Sequence, residues 1–225
     1  MTETTDDFTL ARIEQRPQTL RLIALERVRD AIFEGRILPG ERLVERNLSE
    51  RLGVSRSVIR EVIRNLESEG LVETTGSGPR LASINKAEAQ QIYEIRSLLE
   101  SSAAAACAQA ATPAVIASLR AALAGIEAAH AKASPIDALR ATTDFYEAMF
   151  LAGQHTIAWE VVQRLNGRIS WLRAMTLSSG ERQVAGLEQL QKILDAIAKG
   201  DGPSAAAACR AHIEAAARIA LARLG

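Results

Sequence analysis

Nothing in this chain restricts its fold as much as residues 46–64, Arg46-Asn47-Leu48-Ser49-Glu50-Arg51-Leu52-Gly53-Val54-Ser55-Arg56-Ser57-Val58-Ile59-Arg60-Glu61-Val62-Ile63-Arg64. The pattern predicts two short amphipathic helices joined by a tight turn at Gly53. The second helix carries Arg56, Arg60 and Arg64 along one edge. Two helices so joined have the layout of a helix-turn-helix, whose second helix lies in the DNA major groove.

Charge makes this stretch the place to look for nucleic-acid affinity. The chain holds 27 Lys and Arg against 27 Asp and Glu, so attraction to a polyanion must come from a local patch and not from an overall field. Residues 46–64 supply one, five arginines against Glu50 and Glu61. With 225 residues, 48% of them hydrophobic, the chain can bury a real core in one or two domains, and its alanine and leucine runs favour helix over sheet. Cys107 and Cys209 sit singly in Ala-rich runs, spaced neither for a disulfide framework nor for a zinc finger, and are expected as buried, reduced thiols. Thr4-Thr5-Asp6-Asp7-Phe8 lacks the basic start and apolar block of a signal peptide, and no apolar run nears the roughly 20 residues of a membrane span. The expectation is a soluble, cytoplasmic protein with no membrane partner.

Residues 1–15 are acidic and polar and are expected to form a flexible arm. From Thr19, the positions Leu20, Ile23, Ala24, Val28, Ala31 and Ile32 follow a helical period that ends before Gly35, and Leu38-Pro39-Gly40 forces a turn. After the helix-turn-helix, Gly70 closes the helix. Residues 71–74 and 80–83 then read as strands, and 75–79 as the turn of a small wing with Arg80 near its tip. This completes a domain over 16–84.

Beyond it the strand signals stop. Asn85 with Glu88 is an N-cap pattern opening a long helix to about Ala111, and Thr112-Pro113 and Ser134-Pro135 each start another. A helix from about Thr156 through Leu172, a break at Ser178-Ser179-Gly180, and helices from about Arg182 and Pro203 bring the expected number to six. Trp159 and Trp171 fall on the first of these three as core or pocket wall. The expected fold class is mainly α: a winged helix-turn-helix domain followed by an all-helical antiparallel bundle over 85–225. Its small alanines allow close helix approach and leave room for a cavity.

These residues resemble a known family. Leu38-Pro39-Gly40-Glu41-Arg42-Leu43, then Leu48-Ser49-Glu50-Arg51-Leu52-Gly53-Val54-Ser55-Arg56 and Arg60-Glu61-Val62, continuing to Leu66-Glu67-Ser68-Glu69-Gly70-Leu71-Val72, look like the winged helix-turn-helix of GntR-type bacterial transcription regulators. Ile92-Tyr93-Glu94-Ile95-Arg96-Ser97-Leu98-Leu99-Glu100, Phe145-Tyr146, Ile193-Leu194-Asp195-Ala196-Ile197 and Arg210-Ala211-His212 are similar to the all-helical ligand-sensing domain of the FadR subfamily, the FCD type. The resemblance implies a dimeric repressor or activator whose DNA affinity is set by a small molecule. Matched position by position, it places Arg46 on the first helix of the motif, Ser55, Arg56 and Ser57 at the start of the recognition helix, Arg60 one turn on, and Gly76 of the wing at the minor groove. The residue chemistry agrees, since Arg forks onto guanine or clamps phosphate, and Ser hydroxyls with helix N-terminal amides suit phosphate oxygens. For any single arginine the alternative is a solvated helix face or an intrahelical pair.

Many FCD-type domains hold a metal through an Asp and three His. Here the first two matching positions are Thr142 and Tyr146, the third is Leu190, or Gln189 with the register moved by one, and only the last, His212, is kept. One imidazole and two hydroxyls are too few donors for a tight divalent site, so no metal and no cofactor are expected. His130 and His155 fall near predicted helix ends, far from any ligand spacing. The cavity is instead expected to take a small organic, carboxylate-bearing effector directly. Arg96 and His212 would supply the attraction, and Thr142 and Tyr146 hydroxyl contacts. Against this, Arg96 stands four residues before Glu100 and can simply pair with it, and His212 can be a satisfied interior group.

The resulting expectation is a homodimeric DNA-binding regulator, not an enzyme, with repression as the expected mode and a palindromic operator as its partner. Competing readings are a metal-dependent sensor of the same type, an enzyme whose helical domain carries a DNA-binding appendage, and an interaction protein that never touches DNA. For the enzyme, the bundle offers only isolated reactive groups.

Overall fold

Helix α1 (Leu20–Phe33) buries Ala24, Leu25, Val28 and Ile32, the positions a 3.6-residue period brings to one face, and lies against α3. The computed structural model describes residues 19–177 and 180–224; the arm expected over 1–15 and residues Ser178 and Ser179 of the expected break lie outside the described residues. Helix α2 (Glu45–Leu52) stops at Gly53, whose φ of 64° is left-handed backbone that costs glycine nothing. Ser49 locks the turn by donating its hydroxyl to the Val54 carbonyl at 2.6 Å. Helix α3 (Arg56–Ser68) opens on Ser55, whose Oγ accepts from the Val58 N–H, and buries Ile59, Val62, Ile63 and Leu66. Burying that face sends Arg56, Arg60 and Arg64 to solvent.

The wing is tighter than the sequence suggests. Strands β1 (Val72–Thr75) and β2 (Gly78–Leu81) pair antiparallel from Val72 with Leu81 to Thr75 with Gly78, leaving only Gly76 and Ser77 as the turn. Arg80 therefore stands opposite Glu73, back from the tip, and not near it. The shortening rests on Gly78, at φ 103°, and on Pro79, which lacks an N–H yet still accepts from Leu43 N at 2.9 Å through its carbonyl. A Cβ at Gly78 would also stand 3.3 Å from the Arg42 guanidinium. Gly78→Ala is expected to cost about 1–3 kcal/mol, while Gly76→Ala, in open space at an ordinary φ, stays within about 0.5 kcal/mol; parallel thermal melts test the contrast.

The bundle contains α4 (Lys86–Ala110), α5 (Pro113–Ala131), α6 (Pro135–Ala152), α7 (Thr156–Arg164), α8 (Asn166–Leu177), α9 (Gly180–Ala198) and α10 (Gly202–Arg223). Asn85 and Glu88 form a reciprocal capping box at 2.9 Å each way, and Thr112 and Ser134 cap the next two helices ahead of Pro113 and Pro135. By length and composition α5 could cross a bilayer, although no apolar run in the sequence is uninterrupted over such a span. It packs instead on α6 and α9. Among the described residues there are seven helices where six were expected, because the stretch from Thr156 is two helices. The break precedes Asn166-Gly167, a poor helix-forming pair, and sends α8 toward the N-terminal domain. Trp159 and Trp171 thus stand on different helices. Along the bundle α4 and α10 lie side by side, with small residues such as Ala104, Cys107, Ala205 and Cys209 buried between them. Burial pushes the Cys107 thiol up to about 11.

The two domains meet through α1 and the Gly70-Leu71 link between α3 and β1 on one side and α6 and α8 on the other. Arg168 donates from Nε to the Gly70 carbonyl at 3.1 Å, and Arg140 pairs with Asp30 at 3.3 Å. A Cβ on Gly167 would fall 2.5 Å from Leu71 Cγ, so the α8 backbone is pressed onto the base of the wing. Trp171 packs against both hydrophobic cores.

Candidate DNA-binding surface and effector cavity

The surface formed by α2, α3 and the wing is cationic, and its charges are loosely held. Arg46 is 67% exposed with Glu50 at 4.0 Å, and Arg60 is 57% exposed with Glu45 at 3.8 Å. Arg56 and Ser57 are exposed at the start of α3, and the Ser55 and Ser57 hydroxyls lie 2.8 Å apart. Such exposed pairs are worth about 0–1 kcal/mol, so phosphate or a base edge can draw these guanidiniums away cheaply. Arg64 is the exception, tied to Glu61 at 2.7 Å. Gly76 is exposed at the turn of the wing. Arg42 and Arg80, outside the residues that the resemblance assigns to DNA, extend the patch: Arg42 lies against Gly78, and Arg80 donates to Ser77 Oγ at 2.8 Å.

Inside the bundle a cavity of about 50 Å³ is lined, among the described residues, by Arg96, His130, Thr142, Arg173, Thr176 and His212 together with Leu190 and other apolar groups. Arg96 is 1% exposed and chelated by Glu100, Nε to Oε1 at 2.8 Å and Nη2 to Oε2 at 3.2 Å. Its Nη1 is buried with no hydrogen-bond partner. Burial alone would weaken this guanidinium's hold on its proton, but Glu100, with Tyr146 and Tyr93, outweighs it and holds the group above its ordinary range. Arg173 is 8% exposed, its guanidinium lies 4.8 Å from the centre of the Tyr146 ring, and among the described residues it forms no ion pair. Burial, then repulsion from Arg96, pulls its pKa below the usual value. Among the described residues, two buried arginines therefore face one buried carboxylate, Glu100, which leaves an excess of positive charge.

The other expected cavity residues divide. His212 lines the cavity with Nδ1 3.1 Å from Gln189 Oε1, and Thr142 lines it while donating its hydroxyl to the Ala138 carbonyl at 2.7 Å. Tyr146 is not on the wall. It is 1% exposed, edge-on to Phe145 at 5.9 Å, with its hydroxyl buried and unpartnered; burial, then Glu100, holds that phenol protonated well above the ordinary range. His130, which spacing gave no role, does line the cavity; its Nε2 is buried without a partner and burial lowers its pKa, favouring the neutral ring. It shares the cavity with His212 because α5 and α10 both pack on α9, and no sequence signal marks it.

The residues do not fit a resident metal ion. The Thr142 hydroxyl is committed to its own helix, Leu190 offers no donor, and among the described residues no three His, Cys, Asp or Glu converge.

Comparison with known proteins agrees with both halves of the fold. Residues 22–79 match the family described as bacterial regulatory proteins, gntR family, and residues 91–215 match the FCD domain. The uncharacterized HTH-type transcriptional regulator YdhC of Bacillus subtilis (strain 168) is 27% identical over 92% of this chain and 92% of its own length. The Uxu operon transcriptional regulator of Escherichia coli (strain K12) is 29% identical over 83% of this chain and 81% of its own. Among solved structures, E. coli McbR/YncC superposes with a TM-score of 0.78 at 21% identity, covering 92% of this chain and 99% of that one, which shows a shared fold.

Proposed function

The chain belongs to the gntR family of bacterial regulatory proteins and carries an FCD domain, and on that premise we infer that a small carboxylate-bearing effector in the helical domain controls its grip on operator DNA, with repression as the mode. Regulators of this family act on transcription and are not enzymes. The observation that carries the effector reading is the buried charge at the cavity: Arg96 and Arg173 both line it, Glu100 is the single buried carboxylate opposing them among the described residues, and Arg96 Nη1 is buried without a partner. An uncompensated buried charge is costly, and an entering anion relieves it. Arg96 and His212 would then meet the carboxylate, Thr142 would turn its hydroxyl from the Ala138 carbonyl to donate at its side, and Tyr146 would act from behind the wall through its ring.

On the DNA side, Arg46, Arg56 and Arg60 would meet phosphates and base edges, Ser55 and Ser57 would meet phosphate at the N-terminus of α3, and Gly76 would let the wing backbone approach the minor groove. A cytoplasmic homodimer would place two such surfaces on a palindromic operator, one per half-site. The effector must bind one arrangement of the two surfaces better than the other, because equal affinity shifts nothing.

A thermal-shift screen of small carboxylates, repeated with an operator fragment selected from random duplex DNA, tests this. A matching compound at one hundred times its Kd is expected to add about 2.7 kcal/mol, a rise of roughly 5–10 °C, and to release the operator. Silence across the carboxylates, with a response only after loading with a divalent metal, would give the place to the metal-dependent reading.

A further inference from the structure

Within the cavity the two arginines are not equivalent. Glu100 occupies two of the Arg96 nitrogens and leaves only Nη1, so Arg96 cannot grip a second carboxylate with both arms. Arg173 lines the same cavity, rests on the Tyr146 ring, and among the described residues has no carboxylate partner. Its planar fork is thus pre-oriented by packing and unspent, the state in which a guanidinium binds a carboxylate bidentately with little ordering to do.

Arg173 also stands on the helix that touches the DNA-binding domain. From Arg168 to Arg173 is five residues, about 7.5 Å along α8. At its other end Gly167 presses on Leu71 and Arg168 holds the Gly70 carbonyl, where α3 ends and β1 begins. Trp171, between the two ends, touches both cores. Packed contacts of this kind transmit a displacement because they cannot deform smoothly.

We propose that Arg173 is the residue that grips the effector, that the effector is a small monocarboxylate, and that α8 carries its binding to the junction of recognition helix and wing. This rests on the reading that an anion fills the cavity. One carboxylate balances the excess positive charge, whereas a dicarboxylate would bury a second, unmatched negative charge. The cavity of about 50 Å³ also suits a short acid.

The full-length protein tests all three parts with acetate, propionate and butyrate as probes, against succinate and sodium chloride at equal ionic strength. Without a probe, Arg173→Met should melt higher than wild type, because it removes an unpaired buried charge. Its apparent Kd for the best monocarboxylate should rise at least about tenfold, and Arg173→Lys, which keeps charge but loses the fork, should also bind about tenfold more weakly. In a Trp159→Phe background the probe should shift Trp171 fluorescence, and Gly167→Ala should keep probe affinity within about twofold while the operator no longer responds. If Arg173→Met melts lower and the variants bind the probe as wild type does, Arg173 is structural, and the proposal fails while the anion reading survives. Tighter binding of succinate than of any monocarboxylate overturns the ligand class, and a normal operator response in Gly167→Ala overturns the relay. If no carboxylate shifts wild type, the anion reading itself falls and this proposal with it.

Discussion

Replacing Arg56 and Arg60 together by alanine is expected to remove specific operator binding and leave the fold intact. Both side chains are exposed on α3, and the only ion pair recorded for either among the described residues, Arg60 with Glu45 at 3.8 Å, is a surface pair worth at most about 1 kcal/mol. In the proposed complex their value to DNA would be larger, because a well-placed Arg contact contributes about 1–3 kcal/mol, and a dimer would lose each contact twice. Four lost contacts amount to about 4–12 kcal/mol, and even the lower figure is about a thousandfold in Kd. A chain of net charge zero has no overall field to make up the loss. Fluorescence anisotropy on the selected operator, with a thermal melt of the same sample, measures both halves. Affinity within tenfold of wild type in a folded variant would remove α3 from the DNA interface and favour an interaction protein that never touches DNA.

The largest loss of stability is expected at Glu100→Gln. The Glu100 carboxylate is fully buried, accepts two hydrogen bonds from Arg96, and is the single buried carboxylate opposing Arg96 and Arg173 among the described residues. The amide keeps the volume, so the change isolates the charge. Two interior guanidiniums would then be left unbalanced, and breaking a buried pair in this way costs about 3–5 kcal/mol. For a chain of this size that is a fall of roughly 6–20 °C in Tm by calorimetry. The double change Arg96→Met with Glu100→Leu should recover most of the loss, since replacing both partners by apolar groups of similar volume is often close to neutral. A Glu100→Gln melt that overlays wild type would show that the carboxylate does not hold the cavity's charge in balance.

Both sequence-level alternatives for Arg96 hold in part: it pairs with Glu100 at i+4, and it lines the cavity with one nitrogen, Nη1, buried and unpartnered. Thr142 and His212, placed by motif matching, do line that cavity, whereas Tyr146 is drawn into the core beside Phe145. Gly78 was invisible as the residue that sets the wing, because a glycine's φ cannot be read from its neighbours. The turn predicted over 75–79 contracts to Gly76-Ser77 once Pro79 is tied to Leu43.

What the sequence determined by itself is what short-range physics controls. The period of α3, its Ser55 cap, the left-handed Gly53 and the proline starts of α5 and α6 each depend on residues within a turn or two of one another. The arginine edge of α3 follows from the same period. The tertiary structure alone decided where α8 begins, that Gly167 meets Leu71, and that Arg173 and His130 open onto the cavity that Arg96 lines. Ser170-Trp171-Leu172-Arg173 carries no local mark of a binding site. Its arginine becomes a buried, unmatched charge only when helices distant in sequence close around it, and that desolvation is a property of the packed bundle and not of any segment of the chain.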